Sequence, residues 1–373
     1  MASICHRCAL RLQRAAQTET SQLSKRTFSS TTSTRRNLPV FTESTNSELN
    51  NVLATLREQH FIPAYLREKE RKMIFKPANK QFLQDNPQTT YIGDEEIKLQ
   101  YIDRLRDILP RKQLVWRAIN LIVEGESGDD WQNLPKLLQG LHEGVKKAAA
   151  PGQMEKIVRK ALHNEKMGII MQCLQQVEAT GMTLKNEQVL KSMVCGLHDM
   201  AESSHWSESA TGRALRDAKS IALMLESEAH GTGRKLASND PRTQPEVLGV
   251  FLELTAVYAY KFEDAKDTQG LVKAYTSRLL DNLKDRNPLP SEDQLLQKGK
   301  QYPLLFAISI WHGLSLAQKI LGKDMPARDQ ASKYIAEYES TLSRLVEQLK
   351  AQQPADWTYA EQVVTAWERC IRD

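Results

Sequence analysis

From residue 97 almost to the end of the chain, apolar residues recur at intervals of three and four positions, the spacing of one face of an α-helix. Short polar turns with glycine or proline separate these stretches, and no stretch alternates convincingly with period two. Helices joined by short turns pack as antiparallel neighbours. The sequence therefore predicts an all-α protein of stacked antiparallel helix hairpins, arranged as an α-solenoid or an irregular helix array.

The first predicted helix covers residues 97–109, with Asp94 as its expected N-cap. Two polar stretches, 203–212 and 230–245, are expected to be loops between helices. The longest apolar stretch, 303–321, is interrupted by polar residues, so we expect a buried helix and not a membrane span. Further helices are predicted at 112–124, 131–145, 154–163, 165–180, 188–200, 213–228, 247–260, 271–283, 304–321 and 328–350. A terminal helix at 358–371 is expected to bury Val363, Val364, Trp367 and Ile371.

The first 36 residues have the composition of a mitochondrial transit peptide. They are rich in arginine, serine and threonine, and Glu19 is their only acid. Arg26, Phe28 and Ser29 resemble a matrix-processing site, with arginine shortly before an aromatic residue and a small residue. We therefore predict a transit peptide at 1–28 and a location in the mitochondrial matrix, with peripheral association with the inner membrane left open.

Most of the net positive charge of the chain lies in this leader. The formal net charge is +5, and residues 1–28 contain five basic residues and one acidic residue, so the remainder is near +1. A globally basic nucleic-acid-binding protein is therefore not supported. Any contact with RNA must use a local patch of basic residues.

The best local patch lies at 61–93, which is predicted to be an extended basic arm between a mostly disordered linker at 29–60 and the helical-hairpin domain at 94–373. Its cations would neutralise phosphates, and its aromatic rings would stack on unpaired bases. A solvated charged helix followed by a loop packed on its own domain would explain the pattern equally well. The candidate RNA-binding residues are Tyr65, Arg67, Lys69, Arg71, Lys72, Phe75, Lys76 and Lys80.

Two further basic clusters follow in the first helices. Whether they join the arm in one continuous strip depends on the fold. The clusters consist of Arg104, Arg106, Arg111, Lys112 and Arg117, and of Lys146, Lys147, Lys156, Arg159 and Lys160.

The helix pair around residues 154–200 resembles a degenerate pentatricopeptide repeat, a motif of two antiparallel helices closed by a glycine turn. Gly181 and Asn186 stand at the turn, although Leu184 occupies the position where that family usually has proline. The stretch 194–197 resembles the first helix of a following motif. Generic helix hairpins would give the same pattern, and so few motifs do not support base reading by a repeat code.

The sequence contains no convincing catalytic or metal-binding constellation. The pair Cys5 and Cys8 lies inside the leader and has no second pair to complete a metal site. His198 and His205 lie near Cys195 but lack metal-ligand spacing, and we interpret His198 as a histidine at a helix edge. We therefore expect no enzymatic activity, no cofactor, no metal and no small-molecule substrate.

A basic arm beside a helical body and behind a mitochondrial leader resembles the arms of mitochondrial ribosomal proteins. This resemblance implies a non-catalytic protein of mitochondrial gene expression that binds RNA or the mitochondrial ribosome as a structural or assembly component. Its expected partners are ribosomal RNA or mRNA and mitochondrial ribosomal proteins. The alternative is a protein–protein scaffold or assembly factor for a respiratory-chain complex, because stacked helix hairpins serve that role equally well.

Overall fold

In the computed structural model of this chain, helices make up nearly all of the regular structure, and the described residues contain one two-stranded sheet. The predicted transit peptide at 1–28, with Arg26, Phe28 and Ser29, lies outside the described residues. The prediction of an all-α helix array is confirmed. The structure describes residues 37–125, 127–233, 236, 240–285, 289, 302–352 and 358–372.

The elements are numbered here in chain order. The helices are α1 (Ser47–Leu56), α2 (Ile62–Tyr65), α3 (Glu68–Phe75), α4 (Lys80–Asp85), α5 (Arg111–Glu124), α6 (Gly128–Gln139), α7 (Pro151–His163), α8 (Met167–Gln175), α9 (Val177–Thr180), α10 (Glu187–Ser203), α11 (Glu208–Leu225), α12 (Pro245–Phe262), α13 (Leu271–Leu283), α14 (Tyr302–Leu321), α15 (Arg328–Gln352) and α16 (Thr358–Ile371). The strands are β1 (Gln88–Ile92) and β2 (Glu95–Leu99), the π-helical turns are Arg57–Phe61 and Gly140–Gly144, and the 3₁₀ turns are Pro77–Asn79, Pro241–Thr243 and Gly322–Asp324.

Helices α12 and α14 form the centre of the C-terminal half. They pack along each other, and α14 also contacts α15 and α16. By length and composition the segment Pro303–Asp324 is apolar enough to cross a membrane, but 72% of its apolar window is buried inside the fold. The segment is therefore a core helix, as its interrupted pattern predicted.

The segment 37–60 is ordered, so the prediction of a mostly disordered linker is wrong for these residues. The side chain of Asn133 on α6 accepts a hydrogen bond from the backbone N–H of Thr42 at 2.7 Å and donates one to its carbonyl at 2.9 Å. Asn46 caps α1, whose apolar face packs against α5. A polar sequence is ordered here because distant side chains satisfy its backbone hydrogen bonds.

The expected extended arm at 61–93 is instead folded into short helices and the strand β1. The helix predicted at 97–109 is also wrong, because β1 and β2 form an antiparallel hairpin that pairs Ile92 with Glu95. Gly93 takes a φ of +62°, as the first residue of a two-residue hairpin turn favours, and Asp94 is the second turn residue and not an N-cap. Strand β2 does alternate, since Ile97 is buried between exposed neighbours, but for only five residues.

Three helical details also differ from the prediction. The loop expected at 203–212 is a turn of four residues, because the Ser207 side chain caps α11 and starts it at Glu208. His198 is buried on α10 and does not lie at a helix edge. In α16, Val363 and Trp367 are buried as expected and Val364 is partly buried, but Ile371 is exposed while Ala366 and Cys370 are buried.

Candidate nucleic-acid interface

Two pairs of residues join the segment before α3 to the second π-helical turn. A Cβ atom at Gly140 would lie 2.4 Å from a ring carbon of Phe61, and one at Gly144 would lie 2.4 Å from a ring carbon of Tyr65. Only glycine permits this approach, because real Cβ contacts are not so short. Gly140 and Gly144 are four residues apart, and so are Phe61 and Tyr65. Successive turns of the two helical segments therefore contact each other, and this contact fixes the position of α2 and α3.

A groove of about 470 Å³ opens beside this contact. Its lining contains four cationic side chains and no carboxylate. The lining residues are Gln59, His60, Pro63, Ala64, Arg71, Phe75, Arg104, Ile108, Arg111, Gly144, Val145 and Lys146.

The four cations come from four separate segments. Arg71 lies on α3, Arg104 lies in the irregular segment after β2, Arg111 begins α5, and Lys146 follows the second π-helical turn. The fold thus brings one member of the basic arm together with members of both later basic clusters. The sequence could not show whether the basic clusters meet in the fold. In the structure they meet at these four residues.

These cations are not neutralised within the described part of the chain. No carboxylate there lies within 4.0 Å of Arg71, Arg104, Arg111 or Lys146. The side chains of Arg71, Arg104 and Lys146 are exposed, and that of Arg111 is partly buried. Four like charges around a groove without acids give a positive local potential that attracts anions.

His60 at the edge of the groove is neutral at physiological pH. Burial disfavours its charged form, a hydrogen bond from the ring to the Leu109 carbonyl opposes this, and the charge of Arg111 lowers the pKa of His60 further. The groove therefore owes its positive charge to its arginine and lysine side chains.

The structure does not leave the predicted stacking residues fully available. The ring of Tyr65 packs on Gly144, and its hydroxyl oxygen is buried. The guanidinium of Arg104 lies 4.2 Å from the ring centroid of Phe75, so that face already makes a cation–π contact. We correct the expectation that Tyr65 and Phe75 offer open faces to unpaired bases.

The remaining candidate residues of the arm are all exposed. Lys72 pairs with Glu68 at 2.7 Å, one turn earlier on α3. The ammonium of Lys80 lies 5.8 Å from the ring centroid of Tyr101. Among the described residues, no carboxylate lies within ion-pair distance of the others, which are Arg67, Lys69 and Lys76.

Three members of the later clusters that lie away from the groove have internal partners. Lys156 donates a hydrogen bond to the Asn120 side chain at 2.7 Å. Arg159 pairs with Glu155 at 3.2 Å. Arg117 pairs with Glu48 across the α1–α5 contact. These three side chains are therefore engaged within the protein, unlike the four cations of the groove.

An exposed apolar edge accompanies the groove. Leu105, directly after Arg104, is 95% exposed, and Leu109 is half exposed. Trp116 on α5 is also exposed. Large apolar side chains in water are a usual sign of a surface that a partner covers.

The sequence of the chain resembles known mitochondrial proteins. A family model described as mitochondrial ribosomal protein mS27 (Mrp13) matches residues 26–369. The small ribosomal subunit protein mS27 of Neurospora crassa is 29% identical over 279 residues, which cover 68% of each chain.

Proposed function

The chain belongs to the mitochondrial ribosomal protein mS27 family, and from that membership we propose that it is a structural, non-catalytic component of the small subunit of the mitochondrial ribosome. Its partners in that role are ribosomal RNA and other mitochondrial ribosomal proteins. This agrees with the function predicted from the sequence. The protein is mitochondrial, and we further propose that it works in the matrix after removal of residues 1–28 near Arg26, Phe28 and Ser29.

Within this role, we propose that the groove binds phosphates of the RNA backbone. The observation that supports this is the meeting of Arg71, Arg104, Arg111 and Lys146 without a neighbouring carboxylate. Arginine and lysine bind phosphate by charge-assisted hydrogen bonds and release condensed counterions. Arg67, Lys69 and Lys76 extend this path of positive charge along α3.

The groove is better suited to binding the RNA backbone than to recognising the base sequence of the RNA. Phosphate contacts fix the register of a protein on RNA, whereas sequence is read from base edges and by stacking. The rings of Tyr65 and Phe75 already have partners inside the protein. We therefore propose a contact that recognises the shape and charge of folded RNA and tolerates changes in its sequence.

The proposal is tested by neutralising the groove. A variant with Arg71→Gln, Arg104→Gln, Arg111→Gln and Lys146→Gln is compared with the wild type for binding to mitochondrial small-subunit RNA between 50 and 200 mM KCl. Each lost phosphate contact lowers the slope of log K against log salt by about 0.7–0.9, so four contacts lower it by about 3. Over this range the wild type should then lose about 60-fold more affinity than the variant.

A matched control removes the same charges elsewhere. Arg213, Arg278, Arg328 and Lys273 are exposed, lie far along the chain from the groove, and are changed to Gln together. This control should keep the wild-type slope. An unchanged slope in the groove variant, or an equal decrease in the control, would contradict the proposed phosphate site.

Sedimentation of a mitochondrial lysate tests the wider role and separates it from the respiratory-complex alternative. The protein should sediment with the small ribosomal subunit and shift to lighter fractions after RNase treatment. Sedimentation with an intermediate of a respiratory complex, unaffected by RNase, would overturn the ribosomal proposal.

A further inference from the structure

The core of the C-terminal half contains a polar cluster centred on Glu253 of α12. Its carboxylate is fully buried and lies between two histidines. The Oε2 atom is 2.7 Å from Nδ1 of His198 on α10, and the Oε1 atom is 2.9 Å from Nδ1 of His312 on α14. The hydroxyl of Ser309 lies 3.1 Å from the same nitrogen of His198.

A third type of metal-binding side chain approaches this cluster from α16. One potential ligand atom each from Glu253, His312 and Cys370 lies within 4.8 Å of the others, and all three residues are buried. Cys370 forms no disulfide. Three helices that are distant in sequence thus bring a carboxylate, an imidazole and a thiol together.

This combination of donors suits zinc. Zinc accepts sulfur at about 2.3 Å and nitrogen or oxygen at about 2.0–2.2 Å, and a tetrahedron with these bonds has ligand atoms about 3.3–3.8 Å apart. The three potential ligand atoms lie within 4.8 Å of one another, so zinc binding requires the side chains to adjust to this spacing. Calcium and magnesium prefer sets of oxygen ligands, so the imidazole and thiol argue against them.

We propose that Glu253, His312 and Cys370 bind one zinc ion, which joins α16 to α12 and α14. His198 contacts the second carboxylate oxygen and orients it, as residues behind metal ligands usually do. Three protein ligands leave one position of a tetrahedron for water. The ion would strengthen the attachment of α16, which Arg369 already supports by donating a hydrogen bond to Glu202 of α10 at 2.8 Å.

The proposal is tested on the full chain with Cys5→Ser and Cys8→Ser, so that thiols of the leader cannot bind metal. The protein is loaded with zinc, passed through a desalting column and analysed by mass spectrometry for zinc per chain. We expect one zinc per chain in this background and its loss in Cys370→Ser. The matched control is Cys173→Ser, which changes a buried free cysteine of α8 and should keep the zinc.

A second readout on the parent chain keeps the test decisive if Cys370→Ser does not fold. Cobalt(II) replaces zinc in such sites, and a thiolate ligand gives it a near-ultraviolet charge-transfer band. The band should be present in the parent and in Cys173→Ser. Absence of zinc or of this band from the folded parent would overturn the proposal, as would zinc retained by a folded Cys370→Ser variant.

Discussion

The attachment of the N-terminal segment to α6 gives the sharpest prediction about the fold. Asn133→Ala removes two hydrogen bonds to the backbone of Thr42, of 2.7 and 2.9 Å, at a fully buried position. A buried hydrogen bond contributes about 0.5–1.5 kcal/mol, and the unpaired backbone groups add a desolvation cost. We expect segment 37–46 to be destabilised by about 2 kcal/mol relative to the rest of the protein.

Hydrogen–deuterium exchange measures this effect locally. A destabilisation of about 2 kcal/mol raises the open population of the segment about 30-fold, so the exchange of its protected amides should accelerate by that factor. The amide of Thr42 should respond most, because Asn133 is its acceptor. Amides in α12 and α14 should keep their rates, since these helices lie in the other half of the fold.

Asn51→Ala is the matched control. Asn51 is exposed and helical, so both variants gain the same intrinsic helix propensity, and only Asn133 loses contacts with the segment. The control should leave exchange of 37–46 unchanged. Equal exchange in the two variants would refute the view that Asn133 holds this segment in place.

Two further predictions concern close packing and burial. Gly144→Ala places a Cβ 2.4 Å from a ring carbon of Tyr65, so we expect urea titration to show a loss of about 1–3 kcal/mol of stability. Gly152→Ala, where nothing lies within 4 Å, is its control, and equal losses would contradict the packing argument. Burial raises the pKa of the Cys173 thiol to about 12, so iodoacetamide at pH 8 should label it only after unfolding. Rapid labelling of the native protein would show that this thiol is accessible.

The helices were predictable because their signal is local. The terminal helix occupies 358–371 as predicted, and α12 to α15 match within about two residues at each end, the usual uncertainty of helix boundaries. The β-hairpin was missed because its strands have five residues each, too few for a convincing period of two. The order of segment 37–46 was missed because its hydrogen-bond partner is Asn133, 91 positions away from Thr42.

The two sites differ in how much of them the sequence reveals. Basic residues are conspicuous in composition, so the sequence identified all three clusters that contribute to the groove, but it did not select the members that meet. Arg111 and Lys146 join Arg71 only because the glycine contacts of the second π-helical turn bring α2 and α3 against it. The proposed zinc site has no compositional signal, since its ligands are single residues on helices separated by more than 50 positions. Spacing rules detect sites whose ligands share one short segment. A site formed between stacked helices becomes visible only when the packing is known, and this is why His198 and Glu253 could not be connected from the sequence.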